Sequence, residues 1–331
     1  MESDIILKVS DLTKWFSPRK RLTGGLFSKK VYVKAVDHIT FKVRRGEIFG
    51  LVGESGCGKT TTGRLILRLI RPTSGSACFE GRDVFSLEGK DLHRFRREAQ
   101  MIFQDPYSCL SPRLTTYDLI SEPLKFHAKI NEAERRGKVI RALNIVDLPT
   151  TDEFMKKHPP QLSGGQRQRV MIARSLILSP KLLIADEPVS MLDASLKSSI
   201  LNLLLDLRQE THLTYVLITH DLSVTWYMCD HVSVMYLGKI VESGTPERLI
   251  RKPIHPYTQA LTSAVPTTDP SGKSSRNLAD KIHGEIPALI NPPSGCRFHP
   301  RCPYAKEICK IKEPEVIGVG ADHTVACHLY P

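Results

Sequence analysis

The sequence predicts an α/β fold: a parallel sheet with crossover helices, joined to an antiparallel β region, a helical insertion and a small cysteine-rich C-terminal extension. Three observations carry this. Short continuous apolar runs, "EIFGLVG", "KLLIADEP" and "LTYVLITHD", are each followed by helical spacing, as buried parallel strands with crossover helices require. Residues 4–16 and 33–45 instead alternate apolar and polar positions, as in "HITFKV", which suits half-buried antiparallel strands. Finally, "YDLISEPLKFHAKI" and "NEAERRGKVIRALNIV", within residues 105–160, have helical spacing and no strand between them.

In chain order, the two alternating segments come first. The run "EIFGLVG" then leads into glycines and the helix "KTTTGRLILRLI", which Pro72 is expected to stop. The helical insertion separates this part from the later apolar runs. "VPTTDPSGKSSRN" (265–277) is rich in Pro, Ser and Thr and reads as a linker. No internal repeat stands out.

The chain has 331 residues, enough for one large domain and an appendage. Its start, "MESDIILKVSDLTKWF", lacks the basic and apolar regions of a secretory signal, and no run reaches the ~18 apolar residues of a membrane span. A cytosolic location with reduced thiols follows as the expectation. The net charge is +12, and residues 1–45 hold eleven Lys and Arg against four Asp and Glu. Much of that excess sits in "SPRKRLTGGLFSKK". It reads as a solvated basic loop, with contact to anionic headgroups or nucleic acid as the alternative.

The sharpest motif is "GESGCGKT" (Gly53, Glu54, Ser55, Gly56, Cys57, Gly58, Lys59, Thr60), set between a strand and a helix and followed by Thr61. Glycines let such a loop curl so that its N–H groups and the helix N-terminus face phosphate oxygens. Lys59 can reach the terminal phosphates of a bound nucleotide, and the Thr60 hydroxyl can take a Mg²⁺ position. In "LLIADE", Asp186 ends a buried strand and suits Mg²⁺, while Glu187 can orient or deprotonate an attacking water. "LSGGQRQR" (162–169) is a second glycine-rich turn opening a helix. Gln104 in "IFQDP" and His220 in "LITHD" each follow an apolar strand.

Taken together, these residues resemble the nucleotide-binding subunit of ABC transporters from residue 5 to about 262, with "LSGGQ" in order between Gln104 and Asp186. The resemblance implies a P-loop ABC ATPase cassette over 1–262 with a helical subdomain at about 105–165, an extension over 263–295 and a cysteine-rich tail over 296–331. It implies that Ser163, Gly164, Gly165 and Gln166 act on the ATP of a partner subunit in a head-to-tail pair. Glu187 would be the catalytic base and His220 would contact the γ-phosphate. Gln104 would sense Mg²⁺ and link to the membrane partner, and Asp193 would communicate across the dimer. Phe16, in "LTKWF", is placed to stack on adenine, with Trp15 one residue away.

"KAVDHITF", "GLVGESGCGKTTTGRLILRL", "MIFQDPYSCLSPRLT" and "HPYTQALTSAVP" look like the ATPase subunits of oligopeptide and dipeptide importers, and the long N-terminal loop is similar to their F-type subunit. The implied partners are a homologous D-type ATPase subunit, two membrane-spanning permease subunits and an extracytoplasmic peptide-binding protein. Nucleic acid is not among them. The implied location is peripheral, on the cytoplasmic face of the membrane. "SMLD" departs from the alanine usual before Leu192, and "LKSS" replaces a more polar continuation, but neither removes a catalytic group. A soluble ABC ATPase acting on nucleic acid or ribosomes is the rival. It suits the positive charge but finds no second cassette, coiled-coil insert or nucleic-acid module here.

Half of the eight cysteines, Cys296, Cys302, Cys309 and Cys327, lie in the tail with spacing C-x5-C-x6-C-x17-C. Structural zinc sites favour closer pairs, and four thiolates suit either zinc or an iron–sulfur cluster. The importer resemblance implies a [4Fe–4S] cluster, with His299, His323 and His328 near enough in sequence to replace a ligand.

Overall fold

The computed structural model describes residues 4–17, 32–263 and 289–330. Most of the basic loop and the expected linker at 265–277 lie outside the described residues. Along the chain run β1 (Ile5–Phe16), β2 (Val33–Arg44), β3 (Ile48–Val52), α1 (Lys59–Ile66), β4 (Ser74–Phe79), β5 (Arg82–Asp83), α2 (Gly89–Glu98), β6 (Ala99–Ile102) and α3 (Pro106–Cys109). Then follow α4 (Thr116–His127), α5 (Glu132–Ile145), α6 (Asp152–Met155), α7 (Gly164–Leu176), β7 (Leu182–Asp186), α8 (Ala194–Thr211) and β8 (Thr214–Thr219). The last part carries α9 (Leu222–Met228), β9 (His231–Tyr236), β10 (Lys239–Gly244), α10 (Pro246–Arg251), α11 (Pro256–Ser263), a short helix at Glu307–Ile311, β11 (Val316–Gly320) and β12 (His323–Ala326).

The chain divides into two compact units. One comprises the described parts of Met1–Val43, Ile48–Phe85 and Ile218–Pro331; the other comprises Arg44–Glu47 and Ser86–Leu217. In the first, β1 lies between β2 and β4 and pairs antiparallel with β4, Leu7 facing Phe79. The alternation of the first two segments therefore lands where it predicts. A second set runs β11-β12-β10-β9-β3. Within it β3 and β9 are parallel, and β9, β10, β12 and β11 form antiparallel pairs. All five residues of β3 are buried, as a strand covered on both faces requires.

The helix after the glycine loop ends sooner than Pro72. It stops at Ile66, with Arg68 in the left-handed region at φ 51°. The Leu69 N–H turns back to the Arg64 carbonyl, so a local cap and not the proline closes it.

The core of this unit has an aromatic centre. Phe298 lies edge-on to Tyr236, with centroids 5.2 Å apart, and also packs against Tyr257 and His255. His255 is 1% exposed, and its Nδ1 accepts the Tyr257 N–H at 3.0 Å. Burial pulls its pKa down to about 3. Below pH 6.5 the unfolded chain takes up a proton that the folded chain refuses, so stability present at neutral pH is lost as pH falls toward 3. The slope is about 1.4 kcal/mol per pH unit, so going from pH 7 to 5 costs about 2 kcal/mol through this group. Denaturant unfolding at the two pH values should show that loss in the wild type and its absence in His255→Gln.

In the second unit β7 lies between β8 and β6, and β6 and β7 are parallel. The two helices predicted in the insertion appear as α4 and α5, capped by Thr115 and Asn131, whose side chains accept the Asp118 and Glu134 N–H groups. Pro123 sits inside α4. No helix among the described residues is long and apolar enough to cross a membrane.

Candidate functional site

The predicted residues fall into two groups, one in each unit. In the first unit, buried β3 delivers the chain to Gly53, and the loop 53–58 turns into α1. Gly58 occupies the N-cap at φ 110°, and a Cβ there would stand 2.0 Å from the Ala35 carbonyl oxygen, so only glycine fits. No side chain caps α1, so its N-terminus opens directly onto the loop 53–58. Lys59 is 5% exposed; its Nζ donates to the carbonyls of Gly53 (2.7 Å) and Glu54 (2.9 Å) and lies 3.8 Å from Cys57 Sγ. The ammonium thus lies folded over the inside of the loop. Burial pushes the Cys57 thiol pKa up, against the pull of Lys59, so it is neutral packing and not a nucleophile. Ser55 and Gly56 are exposed at the tip, and Thr60 and Thr61 are half-buried.

The two candidate aromatic residues separate clearly. Trp15 is engaged: its Nε1 donates to Asp37 at 2.8 Å and Lys34 caps its ring at 4.5 Å. Phe16 is 39% exposed, with the Lys14 ammonium 5.0 Å from its centroid. Phe16 is therefore the ring with a face to offer. His220 is exposed just past β8, before Asp221, which caps α9.

In the second unit, strand register brings the catalytic candidates together. Ile102 of β6 pairs with Ala185 of β7. Two residues further along each chain stand Gln104 and Glu187, and Gln104 Nε2 donates to Glu187 Oε2 at 3.0 Å. Asp186 is 2% exposed at the strand end. Glu187 adopts φ 48°, a conformation that non-glycine residues rarely hold and that gathers at functional sites. The turn beyond is fixed by Gln168 of α7, whose buried Nε2 donates to the Pro188 carbonyl at 2.6 Å. Sequence reasoning passed over Gln168, although it lies in the quoted "LSGGQRQR".

The signature turn forms a complete capping box. Ser163 Oγ accepts the Gln166 N–H (3.2 Å), and Gln166 Oε1 accepts the Ser163 N–H (3.1 Å). A Cβ on Gly165 would lie 3.0 Å from Leu196 Cδ2, so this glycine lets α8 come close to the start of α7. Gly164 begins α7 and is half-buried. Asp193 caps α8, accepting the Leu196 N–H (3.0 Å) and the Ser195 hydroxyl (2.8 Å); these hold its carboxyl below the usual carboxylate range.

The tail brings its four cysteines within electrostatic reach of one another. The Cys296 thiol pKa is pushed up to about 12 by burial, with Cys309, Cys327 and Cys302 adding to the rise. Each sulfur has a backbone N–H aimed at it: Phe298 for Cys296, Tyr304 for Cys302, Leu329 for Cys327 and Lys306 for Cys309, the last at 3.4 Å. Among the described residues, however, no group of three or more His, Cys, Asp or Glu side chains is gathered to hold a metal ion. The histidines offered as substitutes are engaged elsewhere: His323 bonds buried Glu242 at 2.8 Å, His328 the Lys312 carbonyl and His299 the Cys296 carbonyl.

Comparison with known proteins matches residues 36–190 to the ABC transporter family and residues 241–309 to the C-terminal region of oligopeptide/dipeptide transporters. The chain is 46% identical to the oligopeptide transport ATP-binding protein AppF of Bacillus subtilis, over 99% of this chain and 98% of that protein. It is 45% identical to the probable peptide ABC transporter ATP-binding protein y4tS of Sinorhizobium fredii, over 99% and 90%. Among solved structures, the ATP-binding cassette MJ0796, a dimer bound to ADP and Pi after hydrolysis, superposes with a TM-score of 0.63 at 28% identity, covering 72% of this chain and 98% of that one. CbiO1 of Clostridium perfringens, part of the transporter complex cbiONQ, gives 0.62 at 29% identity, over 75% and 92%. With a phosphate-binding loop, a strand-end Asp-Glu pair and relatives matched from end to end, the chain belongs to the ABC transporter family of ATP-hydrolysing, ATP-binding proteins.

Proposed function

We propose that the chain is the ATP-hydrolysing subunit that powers import of oligopeptides or dipeptides, docked on the cytoplasmic face of the membrane against separate membrane-spanning subunits. The observation that carries the reading is the end-to-end likeness to an oligopeptide transport ATP-binding protein, reinforced by the transporter-specific segment at 241–309. A related but different ATPase is the proposed partner, with an extracytoplasmic protein delivering the peptide.

In this reading Phe16 stacks on adenine, and Lys59, Thr60, Thr61 and the amides of 53–58 hold the phosphates. The Thr60 hydroxyl, buried Asp186 and Gln104 suit Mg²⁺, which neutralises phosphate charge when bound. Glu187 takes the proton of the attacking water, and His220 contacts the γ-phosphate. Ser163, Gly164, Gly165 and Gln166 serve the nucleotide of the partner, and Asp193 relays between the two chains. ATP hydrolysis removes the contacts that hold the pair closed, which couples turnover to reopening.

The tail is proposed to carry a metal centre, a [4Fe–4S] cluster ahead of zinc. The support is the C-x5-C-x6-C-x17-C spacing of the tail and the backbone N–H directed at each sulfur, an arrangement that tunes such centres. Purification without oxygen should yield iron and acid-labile sulfide in equal amounts with a broad brown absorbance; stoichiometric zinc or no metal would remove the cluster. The transport reading is tested separately. Reconstituted with peptide permease subunits in vesicles, the chain should drive ATP-dependent uptake of a labelled peptide, and uptake unchanged when the chain is omitted would overturn it.

A further inference from the structure

Five residues separate Cys296 from Cys302, and two of them are arginines whose partners lie in the same unit, one of them in the phosphate loop. Arg297 pairs with Asp37, both side chains 4% exposed, and donates to the Leu237 carbonyl. Asp37 in turn accepts Trp15 Nε1, next to Phe16. Arg301 grips the carboxylate of Glu54 with two N–H groups, at 2.9 and 3.3 Å. Glu54 is held from its backbone as well: its N–H donates to the Tyr257 hydroxyl at 2.9 Å, and the Tyr257 ring packs on Phe298, which lies between the two arginines in the chain. The segment is tied to the tail at its first residue, where the Cys296 N–H donates to the Cys309 carbonyl at 2.8 Å.

A carboxylate within a phosphate loop is electrostatically wrong for a triphosphate. Glu54 places one negative charge where several more must come, at a position only partly exposed to screening water. The fork of Arg301 neutralises it and fixes its direction, since a two-pronged guanidinium–carboxylate pair sets geometry as well as charge. We propose that Arg301 is a positioning residue of the ATP site: acting through Glu54, it makes the phosphate loop receptive, and the cysteine tail that holds Arg301 thereby sets nucleotide affinity. The proposal deepens the reading of residues 53–60 as an ATP site and rests on it.

The test is calorimetric binding of ATP, without magnesium so that no turnover occurs, to the full chain. Arg301→Gln should weaken ATP about ten-fold, the scale of losing one well-made charge pair. AMP, which presents less charge, should be affected less. Adding Glu54→Gln removes the carboxylate left without its arginine and should restore most of the affinity. Arg301→Lys, which keeps the charge and loses the fork, should fall between. Cys302→Ser should reproduce the loss seen in Arg301→Gln and add little to it in the double variant. A loss that persists in Arg301→Gln/Glu54→Gln, or equal losses for ATP and AMP, would show a merely structural role and overturn the proposal. An unchanged affinity in Cys302→Ser would overturn the link to the tail. If wild-type chain bound no ATP at all, the reading of the loop itself would fail instead. Thermal melting of each variant separates misfolding from altered affinity.

Discussion

Replacing Glu187 by glutamine should lower ATP turnover by about a thousand-fold, the middle of the range for removing a general base, while leaving ATP binding within a few-fold of wild type. The substitution keeps length and hydrogen-bonding shape and removes only the capacity to take a proton. The surrounding geometry makes it a clean test. Glu187 is held in place by its backbone at φ 48° and by the Gln104 amide at 3.0 Å, and a glutamine oxygen can still accept that amide. The neighbouring carboxylate, Asp186, is 2% exposed at the end of β7 and is untouched. Phosphate release from the reconstituted transporter, measured beside ATP binding by calorimetry, gives both numbers. Turnover within ten-fold of wild type would remove Glu187 from the role of base and leave it only the role of orienting water. Gln104→Ala should act differently: it removes one hydrogen bond to Glu187 and leaves the carboxylate in place, so a smaller loss, about ten-fold, is expected in the same assay.

Much of this was legible in the sequence because local patterns fix it. Alternation over the first two segments marks β1 and β2, and continuous apolar runs mark β3, β7 and β8. The contact between Gln104 and Glu187 follows once β6 and β7 are taken as parallel neighbours in register, although no local signal states that register. The end of α1 was misjudged because a proline is a conspicuous stop, while the closing bonds of Arg68 and Leu69 depend on backbone geometry. α2, an exposed helix whose only buried residue is Phe95, has too narrow an apolar stripe to announce itself. The contacts around Glu54 could not be read at all. Tyr257 and Arg301 lie 203 and 247 residues away along the chain, and only the fold brings them to the loop. The cysteine spacing raised the expectation of a metal centre, which the described residues do not gather, and it said nothing of the partners of the arginines between the cysteines.

The pair of Arg297 and Asp37 sets the second large expectation. Arg297→Met should destabilise the chain by about 3–5 kcal/mol, because it leaves a buried carboxylate without its main counter-ion. Burial alone would raise the Asp37 pKa; Arg297, Lys239, the Trp15 indole N–H and Lys34 together hold it below the ordinary value, so the group is ionised at neutral pH. With Arg297 gone, Lys239 at 3.6 Å, the His38 ring at 3.8 Å, the Trp15 indole at 2.8 Å and the charge of Lys34 remain, and none matches the lost guanidinium in a dry setting. The cost is one of stranding a charge more than of losing an attraction, and that distinction can be measured. Arg297→Met/Asp37→Asn removes both charges and keeps an acceptor for Trp15 Nε1, so it should recover about 2 kcal/mol of the loss despite carrying one more substitution. Denaturant unfolding of the two single variants and the double variant closes the cycle. A double variant less stable than Arg297→Met alone would mean that attraction, not stranded charge, dominates at this junction.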